Sequence, residues 1–138
     1  MWTRAIPVAT APAAALDEES SCAFLVHYPG EAQDLNAWLG FYLAHHAPIM
    51  ARFPGVREVE IHTRVDWIDA LPWHRVNHFQ RNKIVFDTAE ALEYALNSPV
   101  RDEMKADRAK FPKFTGGNAH YPMFCRSVIG PRYEPGRF

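Results

Sequence analysis

Two adjacent histidines lie in a segment with the character of a helix, FYLAHHAPIM at residues 41–50. Imidazole titrates near neutral pH, so a histidine beside a cavity can take up or release a proton without a cofactor. An apolar stripe with helical spacing extends from Leu35 to Phe53, and both Tyr42 and His46 belong to it. His46 is therefore predicted to point inward, either as a proton-transfer residue or as a hydrogen-bonded residue of the core.

Proline at position 48 should disturb the helix beside His46. Proline has no backbone N–H and crowds the carbonyl four residues earlier, here that of Ala44, so a kink is predicted at this point. A kink would free a carbonyl and open space next to the imidazole. The pattern permits a site here, and it also permits an ordinary core histidine.

Three other histidines are weaker candidates for chemistry. His62 alternates onto the polar face of a predicted strand, so it is a second proton carrier if that face borders the cavity and a surface residue if it does not. His74 and His78 are four residues apart, but they bracket a junction between loop and strand, and no further ligands follow at a fixed spacing. No metal site is predicted, and His78 is kept as the alternative second proton carrier.

Aromatic side chains are the expected lining of an apolar pocket. Large aromatic residues also dominate protein cores, so at least half of the candidates are expected to be core residues. The candidates for substrate binding are Trp67, Trp73, Phe86, Phe111 and Phe114.

The sequence has no motif for nucleotide chemistry or for a serine nucleophile. It lacks a phosphate-binding glycine loop, a GxSxG motif and a dinucleotide-binding fingerprint. These absences remove hydride transfer and nucleotide chemistry from the leading hypotheses. Proton transfer without a cofactor remains.

The composition is that of one globular domain. The 138 residues are 48% apolar and 22% charged, which is enough to bury a core. Fifteen basic residues against sixteen acidic ones give no strong field to attract nucleic acid or anionic lipid.

Cys22 and Cys125 have no metal-type spacing, so free thiols in a reducing compartment, the cytoplasm, are expected. No apolar run approaches the roughly 18 residues that span a membrane.

Periodicity and turn residues predict one domain at residues 22–129, between tails at 1–21 and 130–138 that are expected to be flexible. The predicted elements are strands at 22–28, 56–67, 78–86 and 119–128, and helices at 34–53, 89–97 and 99–111.

The order strand, helix, strand, strand, helix, strand is that of the ferredoxin-like βαββαβ fold, an α+β class with helices on one face of a four-stranded antiparallel sheet. Asp34, Thr88 and Ser98 are predicted N-caps, and Pro122 indicates either an edge position for the last strand or a bulge in it. The other face, expected to carry Trp, Phe and Val, would be a large exposed apolar patch. We therefore expect a homodimer in which two sheets stack face to face and enclose a cavity.

The sequence resembles the EthD family of the dimeric α/β-barrel superfamily across residues 23–128. The segments concerned are FLVHYP, FYLAHHAPIMARFPGVREVEI and VFDTAEALEYALNSPVRDEMKADRAKF. The shared pattern consists of H-x-P at His46 and Pro48, Pro54-Gly55-Val56 before a strand, FDTAEAL at 86–92, Ser98-Pro99, Asp107 and Phe111.

The resemblance implies dimerisation through the sheets and a cavity between sheet and helices. The superfamily includes cofactor-independent isomerases, polyketide cyclases, dehydratases and decarboxylases, heme-degrading enzymes and quinone-forming monooxygenases. Only His46 coincides with the recurrent histidine of the family. The loop WIDALPWHRVN at 67–77 has no recognisable counterpart, and in that position it could cap the cavity mouth.

The leading hypothesis is a cofactor-independent lyase, isomerase or dehydratase that acts by proton transfer on a small apolar oxygenated compound, aromatic or polyketide-like. His46 would be the general acid or base, Tyr42 would orient it or the substrate, and His62 or His78 would carry a second proton. One alternative is a non-catalytic dimer that binds a hydrophobic ligand. Another is a barrel that uses heme or oxygen in a monooxygenase-type reaction. No cofactor, nucleic acid or membrane partner is expected for the leading hypothesis.

Overall fold

Strands and helices follow one another in the predicted order. A computed structural model describes residues 21–68 and 70–126. The predicted tails lie outside the described residues, except for Ser21, which begins the first strand. The strands are β1 (Ser21–Tyr28), β2 (Val56–Thr63), β3 (Gln80–Phe86) and β4 (Ala119–Cys125), and the helices are α1 (Leu35–Phe41), a π-helix (Tyr42–His46), α2 (Ala47–Met50), α3 (Ala89–Leu96) and α4 (Pro99–Arg108).

The four strands form one antiparallel sheet in the order β2-β3-β1-β4. The two central strands, β1 and β3, each precede a helical connection, and the edge strands β2 and β4 each follow one, as in the ferredoxin-like fold. The predicted α+β architecture is thus confirmed. β4 is an edge strand, the position in a sheet where proline is tolerated, so this prediction is also confirmed.

Capping residues fix the beginnings of the helices. The Asp34 side chain accepts a hydrogen bond from a backbone N–H three residues later at 2.9 Å, and Thr88 does the same at 3.1 Å. Both predicted caps are confirmed. Ser98 does precede Pro99 at the start of α4, but its hydroxyl donates to the carbonyl of Ala95 at 2.6 Å instead of capping α4.

Between α1 and α2 the helix widens into one π-helical turn, Tyr42–His46. The backbone N–H of Ala47 donates to the carbonyl of Tyr42, five residues earlier. Pro48 has no N–H to donate, so the turn ahead of it lacks a usual helical hydrogen bond and can widen. The interruption predicted beside Pro48 takes the form of this π-helical turn, which contains both Tyr42 and His46.

β2 is shorter than its alternating sequence predicted. Its last residue pair is Thr63 with Gln80, so the predicted end at Trp67 and the predicted start of β3 at His78 are corrected. The physical reason is that β3 begins at Gln80 and offers no partner strand to the residues after Thr63. We call residues 64–78, apart from position 69, the connecting loop. Its exposed large apolar side chains are Val65, Trp67, Ile68, Leu71, Trp73 and Val76.

One face of the sheet is covered by the helices and forms the core. Strand residues alternate between faces, and on β1 the side chains of Cys22, Val26 and Tyr28 belong to the buried cluster. On the helical side Trp38 and Tyr42 pack against this cluster with their rings stacked, 4.9 Å apart.

The other face, which we call the open face, is divided into a charged half and an apolar half. On β2 and β3, Lys83 pairs with Glu58 at 2.8 Å and with Glu60 at 2.9 Å. The register places Phe24, Phe86 and Phe124 on the helical side, so the expectation of an open face rich in Trp and Phe is corrected. The residues of its apolar half are Ala23, Leu25, Val85, Ala119, Tyr121 and Met123.

Candidate active site

A cavity of about 450 Å³ lies between the helix-covered face of the sheet and α4. Its sheet wall is apolar over most of its area and includes Phe24, Val26 and Ile84. Its helical wall includes Tyr42 and His46 from the π-helical turn. Pockets for small organic ligands typically measure roughly 300–1,000 Å³, so this cavity has the size of a ligand site.

His46, on the cavity wall, forms a buried hydrogen-bonded pair with Asp107 of α4. Nδ1 of His46 and Oδ2 of Asp107 are 2.8 Å apart, and the two side chains are 6% and 10% exposed. A carboxylate only accepts hydrogen bonds, so Nδ1 carries the proton that it donates to Asp107. In the neutral ring Nε2 is then unprotonated, and it is the atom that can take a proton from a molecule in the cavity.

The surroundings of His46 favour this neutral form. Burial lowers the pKa of His46 below its usual 6.5, the hydrogen bond and charge of Asp107 oppose that effect, and Arg108 adds a smaller lowering. Phe111 packs edge-on against the imidazole, with ring centroids 4.7 Å apart. At neutral pH the ring is therefore uncharged, fixed in one orientation and suited to act as a general base.

A second buried polar group, from Tyr42 and Asn82, borders the same cavity. Nδ2 of Asn82, on β3, donates to the hydroxyl of Tyr42 at 2.5 Å. Burial raises the pKa of Tyr42 well above 10, so the phenol is neutral. Oδ1 of Asn82 has no hydrogen-bond partner among the described residues, although Asn82 is only 1% exposed. Buried polar atoms are normally paired, so Oδ1 is an unsatisfied acceptor on a residue that lines the cavity.

Two of the predicted catalytic residues, His46 and Tyr42, lie together on the cavity wall with their rings 4.9 Å apart. Three of the predicted substrate-binding residues do not line the cavity: Phe86, Phe111 and Phe114. Phe86 belongs to the buried core, and the other two pack against it. Phe111 nevertheless contacts the His46 ring from behind and holds it in place.

The remaining predicted site residues lie away from this cavity. His62 is on the open face, with its Nε2 atom 3.1 Å from Oε2 of Glu60, because strand alternation turns it away from the helices. His78 stacks on the ring of His27, which also faces away from the helices, with ring centroids 4.2 Å apart. The structure therefore does not bring His62 or His78 to His46. The exposed connecting loop carries the other two, Trp67 and Trp73.

Asp107 and Asn82 are the site residues that sequence reasoning missed. Asp107 was part of the resemblance, but no chemical role was assigned to it. Its signal was present in the sequence. An apolar stripe on α4 has spacings of four, three and four residues, and a single carboxylate interrupts it: the stripe consists of Val100, Met104, Asp107 and Phe111. Asn82 had no comparable signal, because the alternation of β3 did not show which face is inward.

Within residues 21–68 and 70–126, no group of three or more His, Cys, Asp or Glu side chains is arranged to hold a metal ion. Among the helices in the same ranges, none has the length and apolar character to cross a membrane. The two cysteines form no disulfide, as predicted, since Cys22 is buried on the helical side and Cys125 has the opposite orientation.

No protein-family model matches the sequence, and a search of curated proteins finds no match. Solved structures do share the fold. An ethyl tert-butyl ether d (EthD) family protein from Bacillus halodurans is 19% identical with a TM-score of 0.57, over 78% of this chain and 99% of that one.

Two further similar structures are oxygenases from Streptomyces. SnoaB, a cofactor-independent oxygenase from Streptomyces nogalater, is 15% identical with a TM-score of 0.56, over 81% of this chain and 99% of that one. A monooxygenase from Streptomyces coelicolor, in complex with the ligand nanaomycin D, is 14% identical with a TM-score of 0.58, over 83% of this chain and 96% of that one. At these identities the likeness establishes the fold, and EthD proteins are among the proteins that share it, as the sequence resemblance predicted.

Proposed function

We propose that this protein is a cofactor-independent enzyme that removes a proton from a small apolar oxygenated compound, aromatic or polyketide-like, bound in the cavity. The observation that carries this proposal is His46 on the cavity wall, hydrogen-bonded to the buried carboxylate of Asp107. It presents a neutral imidazole whose free nitrogen is oriented by a carboxylate, which is the arrangement of a general base. Proton removal of this kind is the step that lyases, isomerases and dehydratases have in common.

The polar group beside the base supports an oxygenated substrate. Oδ1 of Asn82 can accept a hydrogen bond from a hydroxyl or enol of a bound molecule. Apolar walls would hold the carbon skeleton, while Asn82 and His46 provide two acceptors at its edge. Tyr42 keeps the Asn82 amide in this orientation through its own hydrogen bond.

Oxygenation is the second candidate, and the similar structures favour it. SnoaB is a cofactor-independent oxygenase, and a second structure of the same fold is a monooxygenase. Such a reaction would begin with the same proton removal by His46, after which the electron-rich substrate anion reacts with molecular oxygen. The two candidates thus share a first step and differ in what consumes the anion.

A homodimer that stacks the open faces remains the proposed assembly. The apolar half of the open face includes Tyr121, which is half-buried, and Met123, which is 51% exposed in the single chain. The connecting loop adds further exposed apolar side chains, such as Trp73 and Ile68, at 65% and 100% exposure. A second copy with its own sheet on this face would remove this surface from water.

Hydrogen–deuterium exchange in heavy water tests the proposed function. The probes are anthrone, benzoylacetone and tetralone, which carry acidic C–H groups next to a carbonyl or aromatic system. We expect the wild-type protein to accelerate exchange in at least one probe. His46→Gln should reduce that acceleration by about 10² or more, the usual contribution of a general base.

The matched control is His45→Gln, an exposed histidine one residue earlier in the same helical turn. It should leave the exchange rate unchanged. Exchange no faster than in buffer with all three probes would support the non-catalytic binder instead. Equal exchange by wild type and His46→Gln would reject His46 as the base. Oxygen consumption during the same incubations separates the oxygenase candidate from the others.

A further inference from the structure

Three positively charged side chains form a row along α4 and line the cavity: Arg101, Lys105 and Arg108. Spacings of four and three residues place them on one side of the helix. We call them the α4 cationic row. Arg101 is half-buried and donates to the carbonyl of Leu96 at 3.2 Å, so its guanidinium group is held near the wall of the cavity.

Their charge is not neutralised within the cavity. No Asp or Glu is among the described residues that line it, and the carboxylate of Asp107 is bound to His46. Neither Arg101 nor Arg108 forms an ion pair within the described ranges, and Lys105 only approaches the exposed Asp102 at 3.9 Å. Arg101, the half-buried member of the row, is stabilised when an anion binds to it, and Lys105 and Arg108, which are exposed to solvent, add a weaker attraction.

The positive potential extends to the opposite wall. The pKa of His120, on β4, is lowered to about 4, because the surrounding protein limits its hydration and because Arg108 and Arg101 repel a further positive charge. Solvent still reaches the His120 ring, which places it at the mouth of the cavity. Arg108 and Arg101 thus act electrostatically across the cavity on His120, and Arg108 also acts on His46.

We infer that the α4 cationic row binds a carboxylate group of the substrate, which makes the substrate an aromatic or polyketide-like carboxylic acid. Guanidinium groups bind planar carboxylates through two parallel N–H···O hydrogen bonds. The carboxylate would lie at Arg101 and Arg108, the ring in the apolar part and the reacting C–H at His46. The inference about the reacting end rests on the proposed function.

A carboxylate suits this site better than a phosphate does. Phosphate sites commonly use the backbone N–H groups of a helix N-terminus or of a glycine-rich loop. Here Arg101 lies in the first turn of α4, but Lys105 and Arg108 lie in its second half, and the sequence has no phosphate-binding glycine motif. The cavity instead offers two guanidinium side chains and a lysine next to an apolar chamber.

Isothermal titration calorimetry with salicylate and methyl salicylate tests the inference, because the two probes differ in the negative charge. Wild-type protein should bind salicylate at least about tenfold more tightly than the ester, a preference that salt should weaken. In the double variant Arg101→Gln, Arg108→Gln the two affinities should agree within about threefold, with ester affinity unchanged. Lys110→Gln, an exposed cation outside the cavity lining, should keep the wild-type preference.

Equal affinities for the two probes in the wild-type protein would overturn the inference, as would a preference that survives the double substitution. The single variants Arg101→Gln and Arg108→Gln provide the same test if the double variant does not fold, and each should lose part of the preference. His46→Gln should retain the preference for salicylate. In the wild-type protein, a preference for salicylate without accelerated proton exchange would contradict only the proposed function, and accelerated exchange without the preference would contradict only this inference.

Discussion

The molecule contains the same chemical pair, a histidine beside a carboxylate, on each face of its sheet. On the helical side Nδ1 of His46 lies 2.8 Å from Asp107, and on the open face Nε2 of His62 lies 3.1 Å from Glu60. The first two side chains are 6% and 10% exposed, whereas the second two are 54% and 40% exposed. Similar distances thus occur in very different environments.

That difference decides which pair can do chemistry. Water screens the exposed pair, and Glu60 also binds Lys83 at 2.9 Å, so its charge is shared. Among the residues that the structure describes, the buried pair has no such competitor: Asp107 faces His46, and the imidazole borders a cavity. A low local dielectric strengthens the hydrogen bond and fixes the tautomer of the ring. Residue type and spacing alone do not distinguish the two pairs.

Asp107→Asn should give the largest effect in this comparison. An amide can hold either tautomer of His46, so we expect kcat/KM to fall by about 10² or more. The carboxylate raises the pKa of His46 against the effect of burial, so its removal should lower that pKa further. Because a base must be unprotonated, wild-type activity should decline below pH 6.5, and this acid limb should move to lower pH in Asp107→Asn.

The measurement is the pH profile of kcat/KM with the best exchange probe. Glu60→Gln, the corresponding change on the open face, should alter neither the rate nor the profile. A loss of rate in Asp107→Asn without a displaced acid limb would show that Asp107 only supports the fold of α4.

Met123→Asp should have an intermediate effect, on assembly and not on chemistry. Met123 is half exposed in the single chain, so the monomer should tolerate the change. Between two stacked open faces, however, a carboxylate would lose its hydration without gaining a partner. We expect the dissociation constant of the dimer to rise by about tenfold or more, which corresponds to at least about 1.4 kcal/mol. Sedimentation equilibrium would measure it.

The control for assembly is Tyr94→Asp. Tyr94 is an exposed aromatic residue on α3, 71% exposed, and lies outside the open face. It should leave the dimer intact. A wild-type protein that sediments as a monomer would contradict the proposed assembly.

The fold was predictable because its signals are local. The stripe from Leu35 to Phe53, the caps Asp34 and Thr88 and the alternation of β2 each follow from a few neighbouring residues. The end of β2 was not predictable, because it depends on where β3 begins. The residues beyond Thr63 alternate as a strand does but have no partner strand.

Half of the site was predictable for the same reason. His46 interrupts an apolar helical stripe with a polar side chain, and Asp107 does so on α4, so applying the criterion to both helices would have found the pair. Which face of the sheet borders the cavity is a tertiary property that alternation cannot give. His62 was accordingly a candidate that only the register of β2 and β3 could place on the open face.

His62→Ala should give the smallest effect and complete the comparison. An exposed ion pair contributes little to stability, so the free energy of unfolding should change by less than about 0.5 kcal/mol. The same replacement at His46 leaves the Asp107 carboxylate buried without its partner and should cost about 3 kcal/mol. Urea denaturation at one fixed protein concentration would measure both values, since a dimer makes stability depend on concentration. Comparable losses for the two variants would mean that burial does not separate the two pairs, and that the reason for assigning chemistry to His46 alone is mistaken.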